Sequence, residues 1–464
     1  MMTAYATADH ASANPAASHA WERTLAAVLA VLLIIFATQS FQFLFADKVN
    51  EGMTTRDSAA SNPVYLAIFA AQYGIALLLL LYSALHRGLG WQFLAGMVIP
   101  GVAALSALWS VGTKMTVTNT VVLTYLVIAS YVLSVHFRPA EVLRIYFRVT
   151  VFCLVASLVL YVVAPDQVLQ ARYGGGWVDG WEFRGVMSSK NFAGFVFAST
   201  FLLALNGKLI GIGAFWRYSV GLMALGALVL TSSATAVLVV VLLTPASVLL
   251  RLSGPYRALL AFAMVVLFFC AIMALPVIGS GAAIDVLGRD ATFTGRTDLW
   301  RLAFENIAER PVLGFGYTGF FDADPFSPAW QFWQHFRYFL TATFHNAAIE
   351  ALVSLGLVGL VLLAALCLIA GAVIFNRTVE EGPRLVLVIL LSVFLIGGTM
   401  EFTILHHNYI GTVVAFYAAF VALTRYGPDQ DTLPPSWQPV RQRPPRRPLF
   451  AASAPVRTQR PALV

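Results

Sequence analysis

Charge is what this 464-residue chain has least of: 11% of it is Asp, Glu, Lys or Arg, against 59% hydrophobic residues. A soluble domain carries about a quarter charged residues, so a water-solvated core of this length is excluded. With a mean hydropathy of +0.78, the chain reads as one multi-helix membrane bundle. Cysteine is scarce too. Cys153, Cys270 and Cys367 lie singly inside apolar runs, which leaves no disulfide framework and no metal-ligand spacing. A basic start to the chain is also missing. Met1 to Ala20 is rich in Ala and Ser and lacks the charged head of a secretory signal, so the apolar run after Arg23 is expected to remain a membrane helix. The net charge of +7 lies partly in a Pro/Arg-rich tail and implies no nucleic-acid partner.

Long apolar runs are what the chain has instead. A helix crosses the hydrocarbon with about 17–25 residues, and lipid forces each crossing backbone to satisfy its own hydrogen bonds. Such runs fall near 24–45, 64–85, 91–109, 117–136, 146–164, 191–206, 217–230, 233–250, 258–278, 343–376, 385–400 and 408–424. That predicts an all-α polytopic membrane protein of about twelve transmembrane helices. The division between 217–230 and 233–250 rests on Thr231-Ser232-Ser233, where the apolar pattern scarcely changes. The run 343–376 exceeds one crossing, which implies a tilt or first turns that stand above the membrane.

The expected organisation is a polar cytoplasmic N-terminus at 1–23, then nine helices over 24–278 with an outer loop at 165–190. A long, partly helical periplasmic loop follows at 279–342. The last three helices occupy 343–426, and a disordered cytoplasmic tail occupies 427–464. An even number of spans puts both termini on one side. Taken as cytoplasmic, that side holds 18 of the 29 Lys and Arg, and each of its short loops is basic, as the positive-inside rule asks. The tail arginines suit anionic lipid.

The other cations gather mainly in the two long outer loops. Long loops are translocated regardless of charge, so these residues need a second explanation. In the later loop, Asp298 to Glu309 forms an amphipathic helix with Leu299, Trp300, Ala303, Phe304, Ile307 and Ala308 on one face. It suits the membrane surface, with Trp300 at headgroup level. Arg296 lies at its positive end. That placement reads either as a surface arginine or, with the helix N-terminus, as a cradle for a diphosphate. In the earlier loop, Arg184 and Lys190 flank the mouth of the next helix, as snorkelling anchors or as anion contacts. Gly174-Gly175-Gly176 marks only a flexible loop.

His345 and Asn346 open a membrane helix from the outer side. They read as a helix-capping pair or as a general base with a residue that orients the ring or a sugar. Glu350, five residues on, is poorly placed to pair with His345 and is expected to satisfy a buried donor. Asp322-Ala323-Asp324, with His335, His406 and His407 on the same side, resembles a metal-binding pair, though an Asp pair before Pro325 suits a turn. Trp330, Phe332, Trp333, Phe336, Tyr338 and Phe339 suit the interfacial aromatic belt.

These pieces form a pattern. Gly295-Arg296-x-x-Leu299-Trp300 is followed by Asn306-x-x-x-Arg310-Pro311-x-x-Gly314-x-Gly316, then by His345-Asn346-x-x-x-Glu350 and Gly356-Leu357-x-Gly359. The pattern resembles the O-antigen ligase/Wzy polymerase superfamily. Arg184-Gly185-Val186-x-x-x-Lys190-Asn191-x-x-Gly194, Ser232-Ser233-Ala234-Thr235 and Ala107-Leu108-Trp109-Ser110 look most like its ExoQ-type exopolysaccharide polymerases. The resemblance covers about 100–425 and implies a bacterial inner-membrane enzyme with its site on the periplasmic face. It implies inverting, metal-independent glycosyl transfer with no cofactor. The donor is a sugar chain on undecaprenyl diphosphate, and the acceptor is another lipid-linked repeat or, in ligases, lipid A-core. Arg184 and Arg296 are then expected to hold the diphosphate and His345 to act as base. Lys190, Asn191, Arg310 and Asn346 are expected as further substrate contacts, and a flippase and a chain-length regulator as partners. A transporter, the remaining alternative, would place charges near the bilayer midplane, where this chain has few.

Overall fold

In a computed structural model, the described residues are 20–45, 62–171, 181–251, 296–322, 327–330 and 343–424. The expected helix 258–278, the two termini, the Gly174–Gly176 run, Asp324 and the aromatic stretch from Phe332 to Phe339 lie outside them. The described helices are α1 (Ala20–Ala37), α2 (Pro63–Arg87), α3 (Trp91–Leu105), α4 (Thr113–His136), α5 (Pro139–Val163), α6 (Lys190–Asn206), α7 (Ala214–Leu230), α8 (Ala234–Arg251), α9 (Arg296–Glu309), α10 (Ala347–Gly371), α11 (Glu381–Gly397) and α12 (Ile410–Leu423). Among the described residues, seven apolar stretches, built on α2 to α6, α8 and α10, are long and apolar enough to cross a membrane; α7 and α12 are apolar but shorter.

Local chemistry sets the helix ends. Asn62 caps α2 by accepting from the Val64 and Tyr65 amides, Pro63 follows at the first turn, and Gly88 ends the helix at φ 73°; each choice suits its position. The first helix stops earlier than its apolar run. The Thr38 hydroxyl bonds back to the Ile34 carbonyl at 2.7 Å, and the chain leaves through left-handed Gln39 and Phe41. Thr231 and Ser232 separate α7 from α8, with Ser232 at φ 52°. On α2, Leu66, Leu77, Leu78, Leu81 and Leu85 are exposed, a patch that suits lipid rather than water. By contrast, α12 is buried over most of its length.

Two further backbone features depart from the expected pattern. The segment after α5 contains a small antiparallel pair, β1 (Leu169–Ala171) and β2 (Trp181–Phe183), in register Leu169 to Phe183. Among the described residues the fold is therefore helical with one two-stranded sheet. The second departure explains why the run 343–376 is too long for one crossing. Gly356, at φ 62° and ψ −150°, breaks α10.

The break is filled by chain from the loop after α9. The Phe315 and Gly316 amides donate to the Val353 and Ser354 carbonyls, both at 2.9 Å, and the Leu357 amide donates to the Pro311 carbonyl at 2.8 Å. An unbroken helix would have joined Leu357 to Val353 and Val358 to Ser354, so the inserted strand supplies substitute partners. Such substitution is what allows a broken helix at membrane depth. A Cβ on Gly356 would lie 2.2 Å from the Val312 carbonyl carbon, and one on Gly314 would lie 2.5 Å from the Val353 oxygen. The paired glycine motifs are thus the two halves of one splice. Gly356→Ala is expected to lower the apparent melting temperature in detergent by at least about 5 °C. The backbone term alone is about 1–3 kcal/mol, with the clash added. An unchanged melting curve would contradict the splice.

The amphipathic α9 also differs from expectation. Its face rests on protein: Leu299 and Ala303 join Phe315, Phe320, Phe321, Phe344 and Val353 in one buried cluster. Phe304 points outward, 57% exposed. Periodicity identified the face but not what would cover it.

Candidate functional site

The ends of α1, α3, α5, α7 and α11 and the starts of α4, α6, α8, α10 and α12 meet at one rim of the bundle. Hydrogen bonds tie this rim together. Trp109 donates to the Leu313 carbonyl at 3.1 Å, Asn119 to the Thr318 hydroxyl at 2.8 Å, and Gln39 to the Asn408 carbonyl at 2.7 Å. Gly194 brings α6 against α8, since a Cβ there would meet Ser233 at 2.8 Å and Ala236 at 2.9 Å.

His345 lies at the centre of this rim, one residue before the cap of α10. Its φ of 52° is left-handed, a region that costs a non-glycine residue of order 1–3 kcal/mol and recurs at functional sites. Nδ1 is 2.8 Å from Glu401 Oε2. The other carboxylate oxygen of Glu401 accepts from Asn191 Nδ2 at 2.8 Å, and the Asn191 carboxamide oxygen accepts from the Ser233 hydroxyl at 3.3 Å. The His345 side chain is 28% exposed and that of Glu401 only 12%, so the imidazole is open to a reactant while its carboxylate partner is shielded. An ionised carboxylate only accepts. In the neutral ring it therefore holds the proton on Nδ1 and leaves Nε2 as the acceptor nitrogen.

Asn346 is the N-cap of α10. Its carboxamide oxygen accepts from the Ala348 amide at 2.9 Å and the Ile349 amide at 3.1 Å, and its nitrogen donates to the Thr399 carbonyl at 2.9 Å. Both ends of the amide are therefore engaged in capping. Glu350 accepts from the Phe344 amide and does not pair with His345, as its spacing predicted.

Lys190 and Asn191 are consecutive but face different partners. Lys190 pairs with buried Glu182 of β2, which Gln170 of β1 also contacts at 3.3 Å. Arg184 follows β2 directly. Its amide donates to the Val168 carbonyl at 2.9 Å and its guanidinium to the Gln167 carbonyl at 3.2 Å. Burial lowers the Arg184 pKa from its ordinary value, because the cation has lost part of its water. Such a cation gains from an anionic partner. Arg310 is exposed, with its guanidinium 4.7 Å from the centre of the Phe315 ring. The backbone of Arg296 opens α9; its side chain lies outside the described residues. Among the suspected metal ligands, His406 and His407 are buried and stack with centroids 4.7 Å apart. They form part of the buried packing in the segment that leads into α12.

The rim thus brings His345 and Asn191 together through Glu401. Glu401 is absent from the motif pattern that the sequence offers. Its signal was isolation: no other acidic residue lies between Glu381 and Thr424, and a lone carboxylate in an apolar run is functional by default.

The described residues thus define a multi-helix membrane bundle with an imidazole–carboxylate pair at one rim. Residues 218–364, which include His345 and the α10 break, match the family described as O-antigen ligase. The chain is also 30% identical over 259 residues to the exopolysaccharide production protein ExoQ of Rhizobium meliloti (strain 1021), across 52% of this chain and 58% of that protein. The chain thus matches little more than half the length of this curated relative. Together the two matches support membership of the O-antigen ligase/Wzy superfamily, with an ExoQ-like sequence.

Proposed function

We propose that the protein is a polysaccharide polymerase of the periplasmic face of the bacterial inner membrane. It transfers a sugar chain from undecaprenyl diphosphate to a hydroxyl of another lipid-linked repeat. The carrying observation is the open His345 imidazole, held in a strained backbone and oriented by Glu401 and Asn191. In the transfer, the acceptor oxygen bonds to the anomeric carbon of the donor. The bond from that carbon to the phosphate oxygen breaks, and its electron pair leaves with the diphosphate. His345 Nε2 takes the acceptor's proton. Arg184 and Arg296 offset the charge that grows on the leaving group, a term that acts most strongly where water is excluded. Lys190 and Arg310 serve as further contacts to the sugar or phosphate, and Asn346 as the cap that fixes the start of α10 beside the base. No carboxylate pair for hydrolysis is required, since the acceptor is an alcohol.

The desolvated state of Arg184 supports its role as an anion contact. Arg184→Ala is expected to reduce polymer formed from purified lipid-linked repeat by about ten- to a hundredfold. Wild-type yield from this variant would remove Arg184 from the site. The match to a family described as O-antigen ligase supports a second reading, in which finished chains pass to lipid A-core. Labelled chains that lengthen on the prenyl carrier support the polymerase, and chains that appear on lipid A support the ligase. Uptake of lipid-linked sugar by vesicles, with no glycosidic bond formed, would favour neither.

A further inference from the structure

We propose that Trp300 and Glu350 are positioning residues that grip the Phe344 peptide from both sides and so fix the conformation of His345. The Phe344 amide donates to Glu350, and the Phe344 carbonyl accepts from Trp300 Nε1 at 2.9 Å. Glu350 is 4% exposed, and among the described residues the Phe344 amide is its hydrogen-bond partner. The Phe344 amide needs only an acceptor oxygen, which a carboxyl group supplies in either protonation state.

The chain on the other side of His345 is held as well. The Ala347 amide donates to the Gly398 carbonyl at 2.8 Å, next to the Asn346–Thr399 bond at 2.9 Å. His345 and Asn346 are therefore the two residues between anchored peptides; the Asn346 side chain is fixed by its own bonds, and His345 carries the left-handed φ of 52°. An isolated chain would relax out of that region; this one is prevented from doing so by the anchors.

Trp300 adds a link that a local turn would lack. It lies on α9 one turn after Arg296, on the same side of the helix. Its indole therefore couples the helix that begins with Arg296 to the backbone of His345. A displacement of about 1 Å at a reacting group can cost about a hundredfold in rate, so loss of the grip is expected in turnover rather than in substrate affinity.

The inference rests on His345 as base, and the experiment separates the two. Trp300→Phe keeps the ring and removes the donor; Glu350→Ala removes the acceptor; Glu350→Gln keeps an acceptor oxygen. Steady-state polymer formation by the purified full-length protein is measured with lipid-linked repeat, alongside melting temperature. W300F is expected to lower kcat about tenfold with KM for the repeat within twofold of wild type, and with an unchanged melting temperature. E350A is expected to lose more, and E350Q to recover at least about a third of wild-type turnover. If H345A is inactive while W300F and E350A both match wild type, the grip is refuted and His345 remains the base. If E350Q is as poor as E350A, Glu350 acts through its charge and the proposal fails for that residue. If H345A itself is fully active, both ideas fall. Should E350A not fold, W300F and E350Q decide the matter.

Discussion

Replacement of His345 by alanine is expected to reduce glycosyl transfer by about 10²- to 10⁴-fold, the usual contribution of a positioned general base. Donor affinity should change little, because the diphosphate contacts assigned to Arg184 and Arg296 remain. His345→Asn sharpens the test. Asparagine tolerates the left-handed region better than other side chains, so H345N should be as thermally stable as wild type or slightly more so. Its amide cannot take a proton from an alcohol, so its turnover should match that of alanine. Loss of activity without loss of stability is the signature of a residue whose strain serves function. If H345N retained more than a tenth of wild-type turnover, another group would have to be the base.

Much of the scaffold was legible because lipid imposes a simple rule on length and composition. The runs that became α4, α5 and α8 stand out on that rule alone. What could not be read was whatever depends on a tertiary partner. The apolar face of α9 was plain from its period, yet nothing in the period distinguishes a membrane surface from Phe315 and Phe344. Gly314, Gly316 and Gly356 were seen as motif positions, but the reason for them is a register between two segments about forty residues apart in sequence. Gly316 also meets Ser110, which a Cβ would approach to 2.3 Å. Several residues of the pattern are thus packing devices that bring the loop into α10. His345 drew attention as an ionisable ring at a helix mouth, where capping and base readings both stood; only the resemblance favoured the base. Its carboxylate was overlooked because Glu401 lies 56 positions away in sequence from His345, and only the folded rim joins them.

That carboxylate carries the second large effect. Glu401→Gln is expected to lower turnover by about 10²- to 10⁴-fold, by analogy with the loss when a carboxylate that orients a catalytic imidazole becomes an amide. The argument is geometric. Asn191 presents its nitrogen to Glu401 at 2.8 Å, while its own oxygen is held by the Ser233 hydroxyl at 3.3 Å. A glutamine at 401 must therefore offer its oxygen to Asn191 and its nitrogen to His345. The imidazole then accepts at Nδ1 and carries its proton on Nε2. That tautomer has no lone pair facing the alcohol. Asn191→Leu removes the constraint that imposes this orientation, because the glutamine can then rotate its oxygen toward His345. The double variant N191L/E401Q should therefore be no worse than E401Q alone, and a double-mutant cycle on polymer yield should show strong non-additivity. Additive losses, or an E401Q variant within threefold of wild type, would mean that Glu401 does not set the state of the ring.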